Sequence, residues 1–137
     1  MSDAERISRA VLLWAGISGA LGVILGSYGA HGLEGLLADR GYDPELVAKR
    51  LGQWDVGVRY HLIHSVVLLV IAALPIGSDT SRRWAARMML AGLVFFSGSL
   101  YALVLLNMTL FGAVAPLGGL SWIIGWFMLV WMARSRS

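Results

Sequence analysis

Cysteine is absent from this chain, which removes disulfides, thiolate metal sites, iron–sulfur clusters and cysteine nucleophiles together. Charge is scarce: 14% of the 137 residues are Asp, Glu, Lys or Arg, against about 25% in an ordinary soluble domain. Proline is rare, and no linker, internal repeat or low-complexity segment interrupts the sequence. What remains is apolar. Hydrophobic residues make up 58% of the chain, where soluble domains hold about 45–50%. A fold this small has too much surface for its volume to hide that much apolar area from water. Disorder, a collagen-like repeat and a multidomain enzyme are excluded by the same arithmetic. The expected solvent is a lipid bilayer, the one partner the composition itself implies.

The formal charge is +3 and the isoelectric point about 9.8. The 11 basic residues are split among short segments between apolar runs, without the basic patch and interleaved aromatics of a nucleic-acid surface. No nucleic-acid partner is expected.

Four apolar runs, residues 10–28, 60–76, 84–106 and 116–132, are long enough to cross most of a core about 30 Å thick at about 1.5 Å per residue. Asp3 and Glu5 spoil the basic start of a signal peptide, and the first run is longer than a signal-peptide core, so it reads as an anchor. The expectation is a single membrane domain over residues 1–137: an all-α integral membrane protein, an antiparallel bundle of four transmembrane helices.

An even number of spans puts both termini and the loop after the second span on one side. That side carries Arg6, Arg9, Arg82, Arg83, Arg87, Arg134 and Arg136. The other carries Arg40, Lys49, Arg50 and Arg59, diluted by Glu34, Asp39, Asp43, Glu45 and Asp55. The positive-inside bias predicts cytoplasmic termini in the cell's inner membrane.

The long segment between the first two spans begins a helix at Asp43-Pro44, with Asp as N-cap and Pro at the first helical position. Glu45 with Lys49 and Asp55 with Arg59 are spaced as i,i+4 ion pairs. Val47, Leu51, Trp54, Val58 and His61 recur at steps of three and four. This predicts an amphipathic helix over residues 44–59, lying against the bundle or the headgroups and running into the second span, with Gly52 and Gly57 as points of bending. In the first span Ser18, Gly22, Gly26 and Ala30 form a four-residue stripe, the small-xxx-small pattern by which membrane helices approach closely. It serves packing within the bundle or, failing that, an oligomer or a larger membrane complex.

With this threading, polar and glycine-rich stretches from all four spans converge on the outer half. They are Tyr28–Gly32 with His31; Tyr60, His61, His64 and Ser65; Ser97, Ser99 and Tyr101; and Pro116, Gly118, Gly119 and Ser121. Polar residues at depth are where chemistry in a bilayer is sought. The strings GSYGAHG, YHLIHSVVLL, FSGSLY and APLGGLSWIIGW that carry them resemble the domain-of-unknown-function 423 family of small membrane proteins, which takes in bacterial YgdD- and YwdK-like chains and human transmembrane protein 256. The likeness runs from about Gly16 to Trp131. Its GAHG element falls on Gly29–Gly32, its HxxH or QxxH element on His61–His64, and its PxGG element on Pro116–Gly119. The resemblance implies a four-helix membrane fold and no established activity.

His61 and His64 stand i,i+3 on one helix, where both can face one point, and His31 would complete a three-histidine set suited to zinc or copper. The pattern lacks the glutamate of HExxH, and the alternative is that each histidine hydrogen-bonds between helices. A histidine-lined metal, haem or quinone site in a redox or transport role is therefore the second reading, and no cofactor is the first. Transport would need ionisable groups through the full depth, and the first, third and fourth spans have none at their centres. Asn107-Met108-Thr109 fits a glycosylation pattern but lies too close to the membrane. Gly16, Gly19 and Gly22 miss the dinucleotide fingerprint, and no nucleophile elbow frames a serine. Trp14, Trp84 and Trp131 are expected at the cytoplasmic interface, Trp54 and Trp122 at the outer one, and Trp126 deeper. No catalytic set emerges. The expected role is that of a structural or accessory membrane subunit.

Overall fold

A computed structural model of the chain describes residues 1–74 and 76–134. Pro75, within the expected second span, and Arg136, among the basic residues counted above, lie outside the described residues. The first helix, α1 (Asp3–His31), starts on a capping box: Ser2 and Glu5 each accept from the other's backbone N–H, satisfying donors the first turn leaves open. A short helix, α2 (Leu33–Asp39), follows; the apolar runs alone give no sign of it. The third, α3 (Pro44–Ala73), begins as expected, with the Asp43 carboxylate accepting from the Leu46 N–H and Pro44 in the first turn. Ser78 caps α4 (Asp79–Gly92), which continues through a π turn (Leu93–Gly98) into α5 (Ser99–Leu106). Asn107 ends this run in the left-handed conformation, with φ 53°, and α6 (Leu110–Arg134) completes the chain. Gly41 and Gly77, at the turns before α3 and α4, have φ of 76° and 77°, where a side chain would be strained.

Four of these helical runs are long and apolar enough to cross a membrane: Asp3–His31, Pro44–Ala73, Asp79–Leu106 and Leu110–Arg134. The amphipathic helix runs into the second apolar run as expected, and the last helix starts before the fourth apolar run. The amphipathic segment and the second span are one helix of 30 residues, about 45 Å long. Gly52 and Gly57 do not interrupt it; Gly57 is instead a point of close approach, where a Cβ would lie 3.0 Å from the Tyr101 ring. The last helix starts at Leu110, so Pro116 lies inside α6 rather than at its first turn. The i,i+4 pair of Asp55 and Arg59 forms, whereas the exposed Glu45 and Lys49 make no ion pair, in keeping with the small worth of such pairs in water.

Helix α1 lies along α3, and α4 lies along α6, with the π turn and α5 joining the two pairs. Among the described residues no Cα of α6 comes within 8 Å of one in α1 or α3. Thus α1 and α6 are edge helices, and large apolar side chains such as Leu13, Val23, Phe127 and Val130 cover their exposed faces. Two cores result. One gathers Ile7, Val11, Leu68, Ala85, Met89 and Trp122 in the half nearer the start of α1. The other gathers Leu33, Leu37, Val47, Trp54, Leu103 and Val104 at the opposite end. The apolar face of residues 44–59 is thereby covered by α1, α2 and α5.

The contact between α6 and the π turn is set by Gly118, where a Cβ would lie 2.2 Å from the backbone nitrogen of Phe96. Backbone cannot swing aside as a side chain can. Gly118→Ala should therefore lower the unfolding midpoint in detergent, by an overpacking cost of about 1–3 kcal/mol. Gly16→Ala, with open space at its Cβ, should be neutral or stabilising by up to about 1 kcal/mol. Equal midpoints for the two variants would contradict the close approach.

Candidate functional site

Four side chains from three helices meet at the middle of α1. Ser18 Oγ lies 3.1 Å from His61 Nε2 and 2.6 Å from Ser65 Oγ, and Ser65 Oγ donates to the His61 carbonyl at 2.9 Å. His61 Nδ1 lies 3.1 Å from the Tyr101 hydroxyl. These contacts fix the protons. Since the Ser65 proton goes to the His61 carbonyl, Ser18 must donate to Ser65 and so must accept from His61 Nε2–H. His61 Nδ1 is then the unprotonated nitrogen and accepts from Tyr101. Every donor in the chain is used, and no hydroxyl is left pointing into apolar surroundings.

His64 looks elsewhere. Its Nδ1–H donates to the Tyr60 carbonyl at 2.8 Å, and its Nε2 accepts from the Trp126 indole N–H at 3.3 Å. Its ring stacks on Trp122 with centroids 3.7 Å apart and planes 5° from parallel. Tyr60 and Phe96 close this aromatic layer, which spans the gap between the separated backbones of α3 and α6. Two histidines one helical turn apart thus hold opposite tautomers and face different neighbours. The expectation that they share one point does not hold, because His61 faces α1 and α5 while His64 faces α6.

His31 joins neither. It is exposed at the end of α1, thirteen residues beyond Ser18, about 20 Å along the helix. Among the described residues no group of three or more His, Asp or Glu side chains is placed to hold a metal. His61 stands level with Ser18, at the middle of α1. Of the remaining predicted positions, Ser97 is fully buried and donates to the Gly57 carbonyl at 2.9 Å, tying the π turn to α3. Ser99 donates to Phe96 within its own helix at 2.9 Å.

The stripe on α1 faces α3. A Cβ at Gly22 would lie 2.6 Å from Leu62, and one at Gly26 would lie 3.2 Å from Val58. Ala30, one turn further, is exposed and stands outside this contact, and Gly119 stands in loose contact with Phe96. Beside the stripe, between α1 and the π turn, runs a groove of about 500 Å³. Ser18, His61 and Tyr101 line it, and its rim carries the exposed Trp14, Ile17 and Val94.

Tryptophans supply the contacts that sequence reasoning placed wrongly. Trp54 and Trp122 were expected in an interfacial belt, yet they are 2% and 3% exposed. The Trp54 indole N–H donates to the Leu25 carbonyl of α1 at 2.9 Å, directly over Gly29, where a Cβ would lie 2.6 Å from the ring. The Trp122 indole N–H donates to the Met89 carbonyl of α4 at 3.0 Å, over Gly92, where a Cβ would lie 2.1 Å away. Each is an indole fastened to a neighbouring helix through the gap a glycine leaves. Trp14, Trp84 and Trp131 remain exposed.

Sequence reasoning also missed Arg50 and Asn107. Arg50 is 4% exposed and donates from Nε and one terminal nitrogen to Asn107 Oδ1 at 3.2 and 2.5 Å, and from the other to Gln53 at 2.8 Å. Arg40 donates to the Leu105 carbonyl at 2.5 Å. Two guanidinium groups thus meet the carboxyl end of α5, where cations are favoured. Asparagine closing an apolar run is a left-handed cap signal, and that cue was available in the sequence.

The wiring predicts that ring-nitrogen NMR of the two buried histidines shows one protonated at Nε2 and the other at Nδ1. Tyr101→Phe should shift only the His61 signals, and its stability effect should couple to that of His61→Ala by roughly 0.6–1.7 kcal/mol. A single shared tautomer, or equal coupling to His64→Ala, would contradict it.

Comparison with known proteins gives the same outline. The family model described as "Protein of unknown function (DUF423)" matches residues 25–119. UPF0382 membrane protein YwdK of Bacillus subtilis is 42% identical over 124 residues, covering 87% of this chain and 91% of the relative. UPF0382 membrane protein SH2409 of Staphylococcus haemolyticus is 39% identical over 105 residues, covering 77% and 79%. No solved structure matches. With four helices able to cross a bilayer, an all-α fold and this similarity along most of its length, the chain is a small multi-pass membrane protein and belongs to the DUF423 family.

Proposed function

We propose that this protein is a non-catalytic structural or accessory membrane subunit whose buried histidines lock its helices together. The observation that carries this reading is that all four ring nitrogens of His61 and His64 already have hydrogen-bond partners within the chain. A metal or haem would have to break those bonds to gain a ligand, leaving a buried hydroxyl or indole N–H unpaired at a cost of about 1–3 kcal/mol. The glycines of the family motifs support the same role, since Gly29 and Gly118 admit an indole and a helix backbone, not a ligand.

The proposed setting is the cell's inner membrane, with both termini cytoplasmic. Arg6, Arg9, Arg82, Arg83, Arg87 and Arg134 mark that end, as the positive-inside bias requires. The edge helices α1 and α6 offer the faces on which further copies or a larger membrane complex would assemble.

His61→Gln and His64→Gln should each leave a folded bundle, because glutamine both donates and accepts. Native mass spectrometry of protein taken gently from its own membranes should show the bare or lipid-bound chain, alone or with partner subunits. A stoichiometric metal, haem or quinone mass, lost in both variants, would replace the structural reading with a binding one. For topology, the absence of native cysteine makes labelling clean. In intact cells Lys49→Cys should react with an impermeant maleimide, and Thr80→Cys should be protected. The reverse pattern would invert the orientation.

A further inference from the structure

Arg82 is buried at the opposite end of the bundle from Arg50, with 1% of its surface exposed. One terminal nitrogen donates to Ser8 Oγ at 2.6 Å and reaches the Ile71 carbonyl at 3.4 Å. The other lies 3.7 Å from the half-exposed carboxylate of Asp79, a long ion pair. Its Nε–H is buried with no acceptor. Buried polar atoms are nearly always bonded, and an orphan on a guanidinium is costly. Beside it lies a cavity of about 560 Å³ lined by Met1, Ala4, Glu5, Ser8, Arg9 and Arg82. Glu5, the one acid in that lining, keeps its charge while it accepts from the Ser2 N–H of the capping box, and the two guanidinium groups of Arg9 and Arg82 outnumber it. A neighbouring cavity adds Arg6, Arg83 and Arg87.

The depth suits a headgroup. Leu12, Leu13 and Trp14, the first large exposed apolar side chains within α1, stand within two turns of Arg9, so the cavity lies where hydrocarbon gives way to the polar boundary. Trp84, stacked under Arg87 at 5.1 Å, is the amphipathic residue expected at that level. We propose that this cavity binds an anionic phosphate group, with Arg82, Arg9 and Ser8 as its donors. Phosphate oxygens match guanidinium donors such as those of Arg9 and Arg82, and a small turn of the Arg82 group toward the cavity would give its unpartnered Nε–H an acceptor. Two sources present that chemistry: the phosphodiester of an anionic phospholipid and a free phosphate.

The test is native mass spectrometry of the full chain in detergent with equimolar phosphatidylglycerol and phosphatidylcholine, with and without inorganic phosphate. The wild type should retain phosphatidylglycerol preferentially. Arg9→Gln, an exposed position, should reduce that preference roughly fivefold, and Arg82→Gln should abolish it. Should Arg82→Gln fail to fold, Arg9→Gln carries the test alone. Displacement of the lipid by inorganic phosphate, equally sensitive to Arg9→Gln, would place the site with the soluble source. Equal retention of both lipids without phosphate binding, or a preference that Arg9→Gln leaves unchanged, overturns the proposal.

Discussion

A bilayer offers a buried polar group no water to bond with, so the chain must provide each partner itself. The circuit from Tyr101 through His61, Ser18 and Ser65 meets that demand because each group donates its own hydrogen to the next in one direction, and the last donor ends on a backbone carbonyl. The direction also sets geometry. It requires α1, α3 and α5 to hold a definite rotation and height relative to one another, because a shift of one residue on α1 would move Ser18 off the His61 ring. Apolar packing alone discriminates such slips weakly in lipid, where hydrocarbon inside and outside the bundle is alike.

Close approach is the second requirement, and glycine supplies it in a consistent way. At Gly29 and Gly92 the missing Cβ admits an indole, whose N–H then takes a carbonyl of the facing helix. At Gly118 it admits the backbone of the π turn itself. π turns widen a helix locally and often mark specialised positions. Here the widened turn carries Ser97 into the Gly57 carbonyl on one side and meets α6 on the other. The family motifs GAHG and PxGG thus have a mechanical content: Gly29 and Gly118 are seats for neighbouring helices.

The four spans were legible because twenty-residue apolar stretches have no other stable use in so short a chain. The start of α3 was legible because Asp-Pro is a strong local signal that tertiary structure does not override. What was not legible depended on contacts between residues distant in sequence. The i,i+3 spacing of His61 and His64 says that they lie on neighbouring faces, but not which helix stands opposite each. Trp54 and Trp122 carry the same composition cue as interfacial tryptophans, and only the glycines they cover distinguish them. The continuity of the amphipathic helix with the second apolar run was legible because its apolar residues keep a helical period across the join. His31 was grouped with the other histidines by residue type, and distance along α1 separates them.

The pairing of Arg50 with Asn107 bears on how the protein is made. The two residues are 57 positions apart, so at about 5–20 residues per second the arginine waits roughly 3–11 s for its acceptor to be synthesised. During that interval α2 and the first half of α3 have neither α5 to cover them nor a carboxyl end to meet their guanidinium groups. The half of the protein containing Leu33, Leu37 and Trp54 therefore closes after the third span has been inserted, although its residues are among the first to leave the ribosome. The arrival of Asn107 completes this half of the bundle.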